Sequence, residues 1–365
     1  MPQISATLTI EQQPRPDLLL ALLEMEVDLH HKLASTFRLK VAMLREAQGL
    51  WRFLDDEALR PWARIGISLT VADEERPLLD GYVTEARSHV SPDESGSHLE
   101  LVGMDASVLM ALEEKTRDWA NKKDSDIAET ILREHGFTPH VEDTEVVHDE
   151  AVSTILQRET DIRFLKRLAD RNGFECVIRG TDAYFEPPSL DEEPLPTLAT
   201  HFGGETNLTS FDARWDAVRS TGVQMSRIDA LSKELETAAI TTSALELLGR
   251  DAAPAAPGTP SLAFVKQAVS TNLADLQRIC QAQFDEASWF VSARGEVDTA
   301  AYGAVLEARR VVPIKGVGGP FSGVYYLTSV RHRFTPERHE QHFTARRNAL
   351  FARPDDFQAG GGLPI

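Results

Sequence analysis

Hydrophobic and polar residues alternate along roughly the first hundred positions of the chain, and this period of two predicts β-strands with one face on a core. Turn-forming sequence separates the runs, for example at Asp80-Gly81 and in the polar stretch from Ser91 to Ser97. We therefore expect residues 1–105 to form a first β-barrel domain. The alternating apolar positions are Ile4, Ala6, Leu8, Ile10, Phe37, Leu39, Val41, Met43, Ile65, Ile67, Leu69, Val71, Leu99 and Leu101.

The period changes to that of a helix after residue 105. Ile127 and Ile131 share one helical face, with Asp126 predicted to cap the start of the helix and Gly136 to end it. A second amphipathic helix and a hairpin follow, so residues 106–190 are predicted to form a compact α+β insert domain. The second helix is expected from Thr160 to Gly173 and the hairpin from Phe174 to Phe185.

Strand-like sequence returns after an acidic, proline-containing connection at residues 187–196. A second β-barrel domain is predicted over residues 200–350, with a loop and helix insertion at about 249–285 whose helix runs from about 270 to 284. Residues 353–365 are predicted to be a loose tail. The predicted fold class is therefore α+β, mainly β, with two barrel-like domains flanking an α+β insert.

Net charge limits the partners of the protein. The chain has 38 Lys and Arg against 57 Asp and Glu, a net charge of -19, so stable nucleic-acid binding is not expected. The segment from Leu306 to Arg353 is the exception, with nine basic and three acidic residues. Two interpretations remain open for it: a solvated basic strand face, or a docking surface for an acidic partner with Arg346 and Arg347 as interface residues.

Cysteine content and hydropathy indicate the compartment. Cys176 and Cys280 have no metal-ligand spacing and are interpreted as buried residues in a reducing environment. The N-terminus, Met1 to Ile10, has a strand pattern and not that of a signal peptide. The densest apolar run, Leu18 to Leu23, is far shorter than the roughly 18 residues that span a bilayer. We expect synthesis and assembly in the cytoplasm and no membrane insertion.

Side chains with chemical potential are scattered without a coherent motif. His332, His339 and His342 crowd one segment, but a strand would place His339 and His342 on opposite faces, and zinc-ligand spacing is missing. Residues 315–319 form a glycine-rich run that is followed by a strand, which favours a hairpin turn over a phosphate site. The acidic runs 55–57 and 73–75 are interpreted as solvated charge. We expect no catalytic residue, no cofactor and no metal.

Several short phrases occur in a fixed order along roughly residues 1–350. The longest matches Q-x-x-x-D-x-x-FL-x-x-LA-x-x-x-G. The others are similar to F-x-G-x-V-T (with Leu79 in place of Phe), G-x-D and G-x-Y-x-V-x-x-V-x-H (with Leu327 in place of the first Val). Together they resemble the family of phage late control protein D and the VgrG spike proteins. The residues that carry the resemblance are Gly81, Gly103, Asp105, Gln157, Asp161, Phe164, Leu165, Leu168, Ala169, Gly173, Gly323 and His332.

The resemblance implies a specific architecture and role. Each chain would hold two barrel-like tube domains, and three chains would form a ring with pseudo-sixfold symmetry that joins a hexameric inner tube to a trimeric spike. We therefore expect a non-enzymatic baseplate hub protein of a phage tail or contractile injection system. Its expected partners are two further copies of itself, the inner tube protein, the spike protein and other baseplate proteins.

The sequence departs from VgrG proteins after the last family strand. It has no counterpart of the spike's oligonucleotide-binding-type barrel or β-helix, so we expect the spike to be a separate chain. Two other functions remain open: a tail-associated hydrolase that degrades envelope polymers, and a carbohydrate-binding or receptor-binding β module.

Overall fold

Strands dominate the fold, so the mainly-β prediction is confirmed. Among the described residues, no helix combines the length and the apolarity needed to cross a membrane. The predicted tail falls largely on residues 358–365, which lie outside the described part of the chain, as does much of the loop predicted near residue 260. The computed structural model describes residues 4–46, 49–93, 96–152, 154–229, 231–255, 257, 262–264 and 270–357.

The N-terminal β unit, residues 4–105, follows the alternation of its sequence. In β5, for example, Ile65, Ile67 and Leu69 are buried and the residues between them face outward. The buried side chains of its strands pack into one core. Its elements are β1 (Ile4–Ile10), β2 (Gln13–Pro14), α1 (Pro16–Leu20), β3 (Leu22–His30), β4 (Thr36–Ala42), β5 (Arg64–Val71), β6 (Glu74–His89) and β7 (His98–Asp105).

The insert, residues 106–186, has a separate core between two helices and a hairpin. Its first helix begins at Asp124, and the carboxylate of Asp126 accepts a hydrogen bond from the backbone N–H of Lys123. The prediction of Asp126 as the residue preceding the helix is therefore wrong, because Asp126 lies inside the first turn. The elements are β8 (Glu114–Trp119), β9 (Lys122–Lys123), α2 (Asp124–Glu134), β10 (Thr138–Val141), β11 (Val147–His148), β12 (Ile155–Thr160), α3 (Asp161–Asn172), β13 (Glu175–Arg179) and β14 (Asp182–Glu186).

The C-terminal β unit, residues 198–350, contains a long excursion between two neighbouring strands, β16 and β21. The helix of this excursion begins at Leu273, later than predicted, because the side chain of Asn272 accepts a hydrogen bond from the N–H of Asp275 and fixes the first turn. The elements are β15 (Leu198–Ala199), β16 (Leu208–Trp215), β17 (Gly222–Ile228), β18 (Leu235–Ile240), β19 (Asp251–Ala252), β20 (Leu262–Phe264), α4 (Leu273–Ser288), β21 (Val291–Asp298), α5 (Thr299–Tyr302), β22 (Val311–Lys315), β23 (Gly323–Phe334), β24 (His339–Arg347) and β25 (Ala349–Leu350).

The two β units share one sheet. Strand β23 pairs antiparallel with β3, from Ser329 opposite His30 to Phe334 opposite Met25. This pairing, which we call the seam, joins the strands into a 13-stranded sheet ordered β16-β21-β24-β23-β3-β4-β7-β6-β5-β1-β2, with β22 and β15 added beside β23. The cores of the two units nevertheless remain distinct. The units therefore meet edge to edge through backbone hydrogen bonds.

The two β units are an internal structural repeat. In chain order β1, β3, β4, β5, β6 and β7 correspond to β15, β16, β21, β22, β23 and β24. In each repeat the first strand pairs with the fourth, the second with the third, the third with the sixth, and the fifth with both the fourth and the sixth. One difference is the direction of the first strand, since β1 is antiparallel to β5 whereas β15 is parallel to β22.

Two β-bulges align the repeats residue by residue. The first bulge falls in the β3–β4 pair and in the β16–β21 pair, and the second in the β6–β7 pair and in the β23–β24 pair. Superposing the bulges also brings the intervening strand pairs into the same register, with Arg38 opposite Val102 and Arg294 opposite Thr344. The aligned bulge positions are Leu22 to Glu24 with Leu208 to Ser210, and Val83 to Glu85 with Leu327 to Ser329.

A few side chains are identical at the aligned positions. The hydroxyl of Thr84 donates to the carbonyl of Val102 (3.3 Å), and the aligned hydroxyl of Thr328 donates to the carbonyl of Thr344 (3.1 Å). The same local hydrogen bond thus closes the same bulge in both repeats. The identical pairs are Leu22 with Leu208, Arg38 with Arg294, Val41 with Val297, Ile67 with Ile314, Tyr82 with Tyr326, Thr84 with Thr328 and Arg87 with Arg331.

Candidate functional site

One face of the shared sheet is polar across both repeats. Its strands turn one set of alternate residues into the two cores and the other set to the opposite face, where the charged residues other than Glu340 and Arg346 are partly or fully exposed. Acidic and basic side chains are nearly balanced on it. Their sign alternates over four neighbouring strands, with basic residues on β23 and β4 and acidic residues on β3 and β7, whereas the other strands carry both signs. This charged face comprises Glu24, Glu26, Asp28, Arg38, Lys40, Glu85, Arg87, Glu100, Asp212, Arg214, Arg294, Glu296, Asp298, Arg331, Arg333, Glu340 and Arg346.

Ion pairs on the charged face cross the seam. Arg331 of β23 lies 2.7 Å from Asp28 of β3, and Arg333 lies 2.7 Å from Glu24. Within each repeat an aligned arginine also pairs with a carboxylate on the adjacent strand, Arg38 with Glu26 and Arg294 with Asp212. Cross-strand pairs of opposite charge favour one register over its neighbours. The ion pairs of the charged face therefore favour the register in which the two repeats meet.

The seam is formed by one edge of β3 and one edge of β23, and each of these two edges has an aligned counterpart in the other repeat. Strand β16 is the counterpart of β3, and the second half of β6, Thr84 to His89, is the counterpart of the part of β23 that pairs with β3. Among the described residues, no strand pairs with the outer side of β16 or with the side of Thr84 to His89 that faces away from β7. Each chain thus carries one closed seam and two unpaired edges of the same kind.

A groove of about 850 Å³ lies beside the unpaired edge of β16. Basic side chains outnumber acidic ones along its walls, in contrast to the overall charge of the chain. Arg346, a predicted interface residue, lies at its base, where the guanidinium stacks 4.3 Å from the ring of Trp289 and pairs with Glu286. The charged residues of the groove are Lys32, Asp212, Arg214, Arg219, Glu286, Arg294 and Arg346.

The prediction of Arg347 as an interface residue is corrected. Its side chain is completely buried, and it donates hydrogen bonds to the backbone carbonyls of Leu248, Ser322 and Phe351 at 2.8 Å each. Burial lowers the pKa of the Arg347 guanidinium below its usual range. Arg347 holds the end of β24 to three other segments of the same chain, so a partner has no access to it.

The basic segment from Leu306 to Arg353 is neutralised mainly from within the chain. Eight of its nine basic residues form ion pairs with carboxylates, and most of these carboxylates belong to other parts of the sequence. The interpretation of this segment as a docking surface stays a prediction, and the structure adds that most of its basic side chains already have acidic partners within the chain. The pairs are Arg309 with Glu175 and Glu186, Arg310 with Glu192, Lys315 with Glu205, Arg331 with Asp28, Arg333 with Glu24, Arg338 with Glu340, Arg346 with Glu286, and Arg353 with Glu246.

Glu175 lies at the junction of the insert with the C-terminal β unit. Its carboxylate accepts hydrogen bonds from Arg309 (2.9 Å) and from the hydroxyl of Tyr326 (2.7 Å), and Arg346 lies 3.7 Å away. Burial raises the pKa of Glu175, although the nearby guanidinium of Arg309 opposes this effect. Such a buried, paired charge fixes the orientation of the insert, because loss of one partner would leave the other charge unpaired.

The first group of motif residues lies where β6 and β7 approach the insert. A Cβ atom at Gly81 would overlap the backbone of Met104, and one at Gly103 would overlap the carbonyl of Tyr82 and the ring of Phe37. Asp105 accepts hydrogen bonds from the backbone N–H groups of Ser35 and Ser107, at 2.5 and 2.9 Å. These residues have structural roles where the backbones of the paired strands β6 and β7 lie close together.

The second group of motif residues forms a buried network at the start of α3. The carboxylate of Asp161 accepts hydrogen bonds from Gln157 (2.6 Å) and Lys115 (2.5 Å) and lies 2.7 Å from Nε2 of His135. Burial raises the pKa of Asp161, but the hydrogen bonds from Lys115, His135 and Gln157 outweigh this effect and lower it. The indole N–H of Trp119 donates to Gln157 and completes the network.

The remaining motif residues serve packing and turns. Phe164, Leu165, Leu168 and Ala169 fill the core of the insert, and Gly173 ends α3 with φ 72°. In the second repeat a side chain at Gly323 would overlap the guanidinium of Arg347. His332 is buried, lies 3.2 Å from His339, and its Nε2 lies 3.1 Å from the carbonyl of Leu306.

His148 lies between a hydroxyl group and a carboxylate, in the order of a catalytic triad, and the sequence did not predict this arrangement. Nδ1 of His148 lies 2.8 Å from the hydroxyl of Thr271, and its Nε2 lies 2.9 Å from Asp124. All three side chains are buried, so a substrate could not reach the hydroxyl. The contact instead ties the segment before α4 to the insert. Nothing in the spacing of these residues, which are 24 and 123 positions apart, marks it in the sequence.

Solved structures with a similar fold include phage and prophage tail proteins and a component of a secretion system. A 43 kDa tail protein of prophage MuSo2 from Shewanella oneidensis matches with a TM-score of 0.68 at 13% identity, over 95% of this chain and 100% of that one. A tail protein from Neisseria meningitidis MC58 matches with a TM-score of 0.66 at 14% identity, over 98% and 99% of the two chains. A type VI secretion system component from E. coli matches with a TM-score of 0.56 at 13% identity, over 100% of this chain and 79% of that one.

Comparisons of sequence add a family. A search of curated proteins found no match. The family model described as the Alg8 N-terminal domain matches residues 19–336, which include the whole insert and all but one of the six aligned strands of each repeat, β1 in the first and β24 in the second. The chain therefore belongs to the Alg8 N-terminal domain family and has the fold of phage and prophage tail proteins.

Proposed function

We propose that the protein is a non-enzymatic baseplate hub of a phage tail or contractile injection system. Three copies would form a closed ring that adapts a hexameric inner tube to a trimeric spike, with the spike supplied by a separate chain. The particle would be assembled in the cytoplasm, and the ring would also contact other baseplate proteins. The likeness of the fold to tail proteins supports this role, and the internal repeat is the observation that carries it.

The repeat resolves a mismatch of symmetry. A hexameric partner needs six equivalent surfaces, whereas a trimeric partner needs three. Three chains that each contain two repeats with the same strand order and the same bulges supply six similar surfaces. The parts that occur once per chain, the insert and the excursion between β16 and β21, supply three.

The seam within one chain serves as the template for contacts between chains. If β16 of one copy pairs with Thr84 to His89 of the next copy in the way that β3 pairs with β23, the sheet closes into a ring. Transferring the observed register places Ala86 opposite Trp215 of the neighbouring copy, and Ser88 opposite Ala213. This pairing would cover edges that otherwise favour aggregation.

Charges at the transferred seam are complementary along the diagonal used within the chain. At the observed seam, Arg333 stands opposite Glu26 but bonds to Glu24, two residues away. The same diagonal would join Arg87 of one copy to Asp212 of the next, and Glu85 to Arg214. Both are pairs of opposite charge. The directly opposite pair differs from the observed seam, because Arg331 faces Asp28 within the chain whereas Arg87 would face Arg214 of the next copy. The two diagonal pairs would have to offset that repulsion.

A disulfide experiment tests the ring. The full chain with Ala86→Cys and Trp215→Cys should form covalently linked trimers on oxidation, because directly opposite strand residues lie within the Cα separation of a disulfide, about 4.4–6.8 Å. The native Cys176 and Cys280 are buried and should not interfere. Ser88→Cys with Trp215→Cys is the matched control, since a shift of two residues exceeds that separation.

Mass measurement and electron microscopy of the cross-linked product should show three chains and six similar densities around a ring. The oxidation, the mass measurement and the microscopy are carried out both on the purified chain and on the native particle. A cross-linked product from the Ser88→Cys control but not from the Ala86→Cys variant would refute the register. Particles with any number of copies other than three in this ring would refute the proposed function.

A further inference from the structure

Three metal-ligating side chains meet on the charged face of the second repeat. His342 and Glu340 lie two residues apart on β24, and Glu296 stands opposite His342 on β21. One ligand atom from each lies within 4.8 Å of the other two. This cluster lies outside the seam and the groove, and the proposed hub function does not require it.

The separations suit a shared ion better than they suit hydrogen bonds. Nδ1 of His342 is 3.9 Å from Oε2 of Glu296, which is too long for a hydrogen bond. Two ligands of one metal ion can be at most about 4.2 Å apart, given bond lengths of about 2.1 Å. The 3.9 Å pair satisfies this limit as it stands, and the widest separation requires a side-chain shift of about half an ångström.

The donor set selects the class of ion. One imidazole nitrogen and two carboxylates favour a divalent first-row transition ion such as Zn²⁺ over Ca²⁺ or Mg²⁺, which prefer oxygen ligands alone. His342 and Glu296 are partly exposed, so water can reach the remaining coordination positions, whereas Glu340 is almost fully buried. A rigid sheet holds all three side chains.

Nearby arginines set the affinity of such a site. Arg338 bonds to Oε1 of Glu340 at 2.8 Å, while Arg333 lies 3.8 Å from Oε2, beyond hydrogen-bond distance. Arg331, beside His342 in the adjacent strand, is paired with Asp28. An ion would have to compete with Arg338 for Glu340, so binding in the micromolar range is expected and not the tight binding of a structural zinc site.

The first repeat has a cationic side chain at the aligned place. The residues that align with Glu296, Glu340 and His342 are Lys40, His98 and Glu100. Lys40 of β4 lies directly between two cross-strand neighbours, Glu24 of β3 and Glu100 of β7. The second repeat thus has a carboxylate beside an imidazole where the first repeat has a lysine between carboxylates, so the side chain that occupies the first repeat's position is replaced by potential metal ligands.

We propose, in contrast to the expectation of no metal drawn from the sequence, that Glu296, Glu340 and His342 form a binding site for a divalent transition-metal ion, one per chain. Calorimetric titration of the full chain with ZnCl₂ should show one site per chain. His342→Ala or Glu296→Gln should weaken binding about tenfold or more, as loss of a metal ligand does. Arg338→Ala should tighten it, because it releases Glu340 from its competitor.

His98→Ala is the matched control, since His98 and His89 form an exposed pair, with ring centroids 5.0 Å apart, that could bind zinc adventitiously. It should leave the titration unchanged. The absorption spectrum of bound Co²⁺ gives a second readout, and its ligand-field bands should disappear in His342→Ala. Failure to bind below about 100 μM, or loss of binding in His98→Ala but not in His342→Ala, would overturn the proposal without bearing on the hub function.

Discussion

Both Nε and Nη2 of Arg331 lie within 2.9 Å of Oδ2 of Asp28, a residue 303 positions earlier in the chain. The pair lies at the seam between the repeats and is partly exposed, so it should contribute about 0.5 kcal/mol to stability. Asp28→Arg and Arg331→Asp should each destabilise the protein by about 1 kcal/mol, since each places like charges side by side.

The double exchange should restore most of the loss. Urea denaturation of the four proteins gives the coupling free energy directly. Exchange of Asp212 and Arg294, an ion pair that lies within one repeat and is more exposed, is the control and should show a smaller coupling. If the double exchange lowers the free energy of unfolding by the sum of the two single losses, Asp28 and Arg331 are not coupled. Backbone pairing alone would then set the register of the seam.

Arg347→Met should destabilise the protein by about 3 kcal/mol or more. The substitution leaves the carbonyls of Leu248, Ser322 and Phe351 without their donor in a buried place. Arg347→Lys should not rescue stability, because one ammonium group cannot reach three separated carbonyls. Arg294→Ala, at an exposed arginine, is the control and should change the urea midpoint little. A fully stable Arg347→Met variant would contradict the assigned role.

Gly103→Ala should be strongly destabilising, by roughly 2–4 kcal/mol, because the added methyl group would overlap the carbonyl of Tyr82 and the ring of Phe37. Gly204→Ala is the matched control, since a Cβ atom there meets open space. Thermal denaturation should show a large decrease in Tm for the first variant and almost none for the second. Similar Tm values for the two variants would show that the paired strands β6 and β7 can move apart to accommodate the added methyl group.

His31 makes stability depend on pH. Its ring is buried against Tyr326, and burial lowers its pKa to about 2, with Arg346, His30 and Lys32 adding positive charge nearby. The folded-state pKa is below the unfolded value of about 6.5, so the folded protein binds fewer protons at acidic pH. This contribution is fully present above pH 6.5 and is lost as the pH falls, by about 1.4 kcal/mol per pH unit.

His31→Gln should therefore flatten the pH dependence between pH 6.5 and pH 4.5, although it also perturbs the hydrogen bond to the carbonyl of Thr328. Urea midpoints at several pH values give the slope. The exposed His98, replaced by Gln, is the control and should leave the slope unchanged. An identical slope in wild type and His31→Gln would place the acid sensitivity elsewhere.

The alternation of the sequence predicts the strands well, because a sheet with one buried face imposes a period of two on each strand. The sequence also predicts the end of α3 at Gly173, because glycine readily adopts the positive φ that ends a helix. The seam could not be predicted, since the strand from Ser329 to Phe334 has alternating residues like any other, and nothing local selects β3 as its partner. Pairing between residues about 300 positions apart depends on the assembled cores.

The candidate site was predicted less well than the fold. The basic composition around Arg347 indicated a surface, yet the guanidinium is buried, because composition does not reveal which carbonyls a long side chain reaches. Two similar barrels in each chain were expected from the family resemblance, but the residue-by-residue alignment of the two repeats could not be predicted. Few of their aligned residues are identical, and their two aligned bulges are features of backbone pairing that leave little trace in the sequence.

The repeats differ most in what separates their second and third strands. In the first repeat five residues, 31–35, turn β3 into β4, whereas in the second repeat residues 216–290 lie between β16 and β21. The second repeat thus carries a long excursion at the place where the first repeat has a short turn. In a ring of three chains, plain and elaborated positions would alternate around the circumference. A partner that contacts the wall of the ring would meet a sixfold surface, and one that contacts its decorated rim would meet a threefold one.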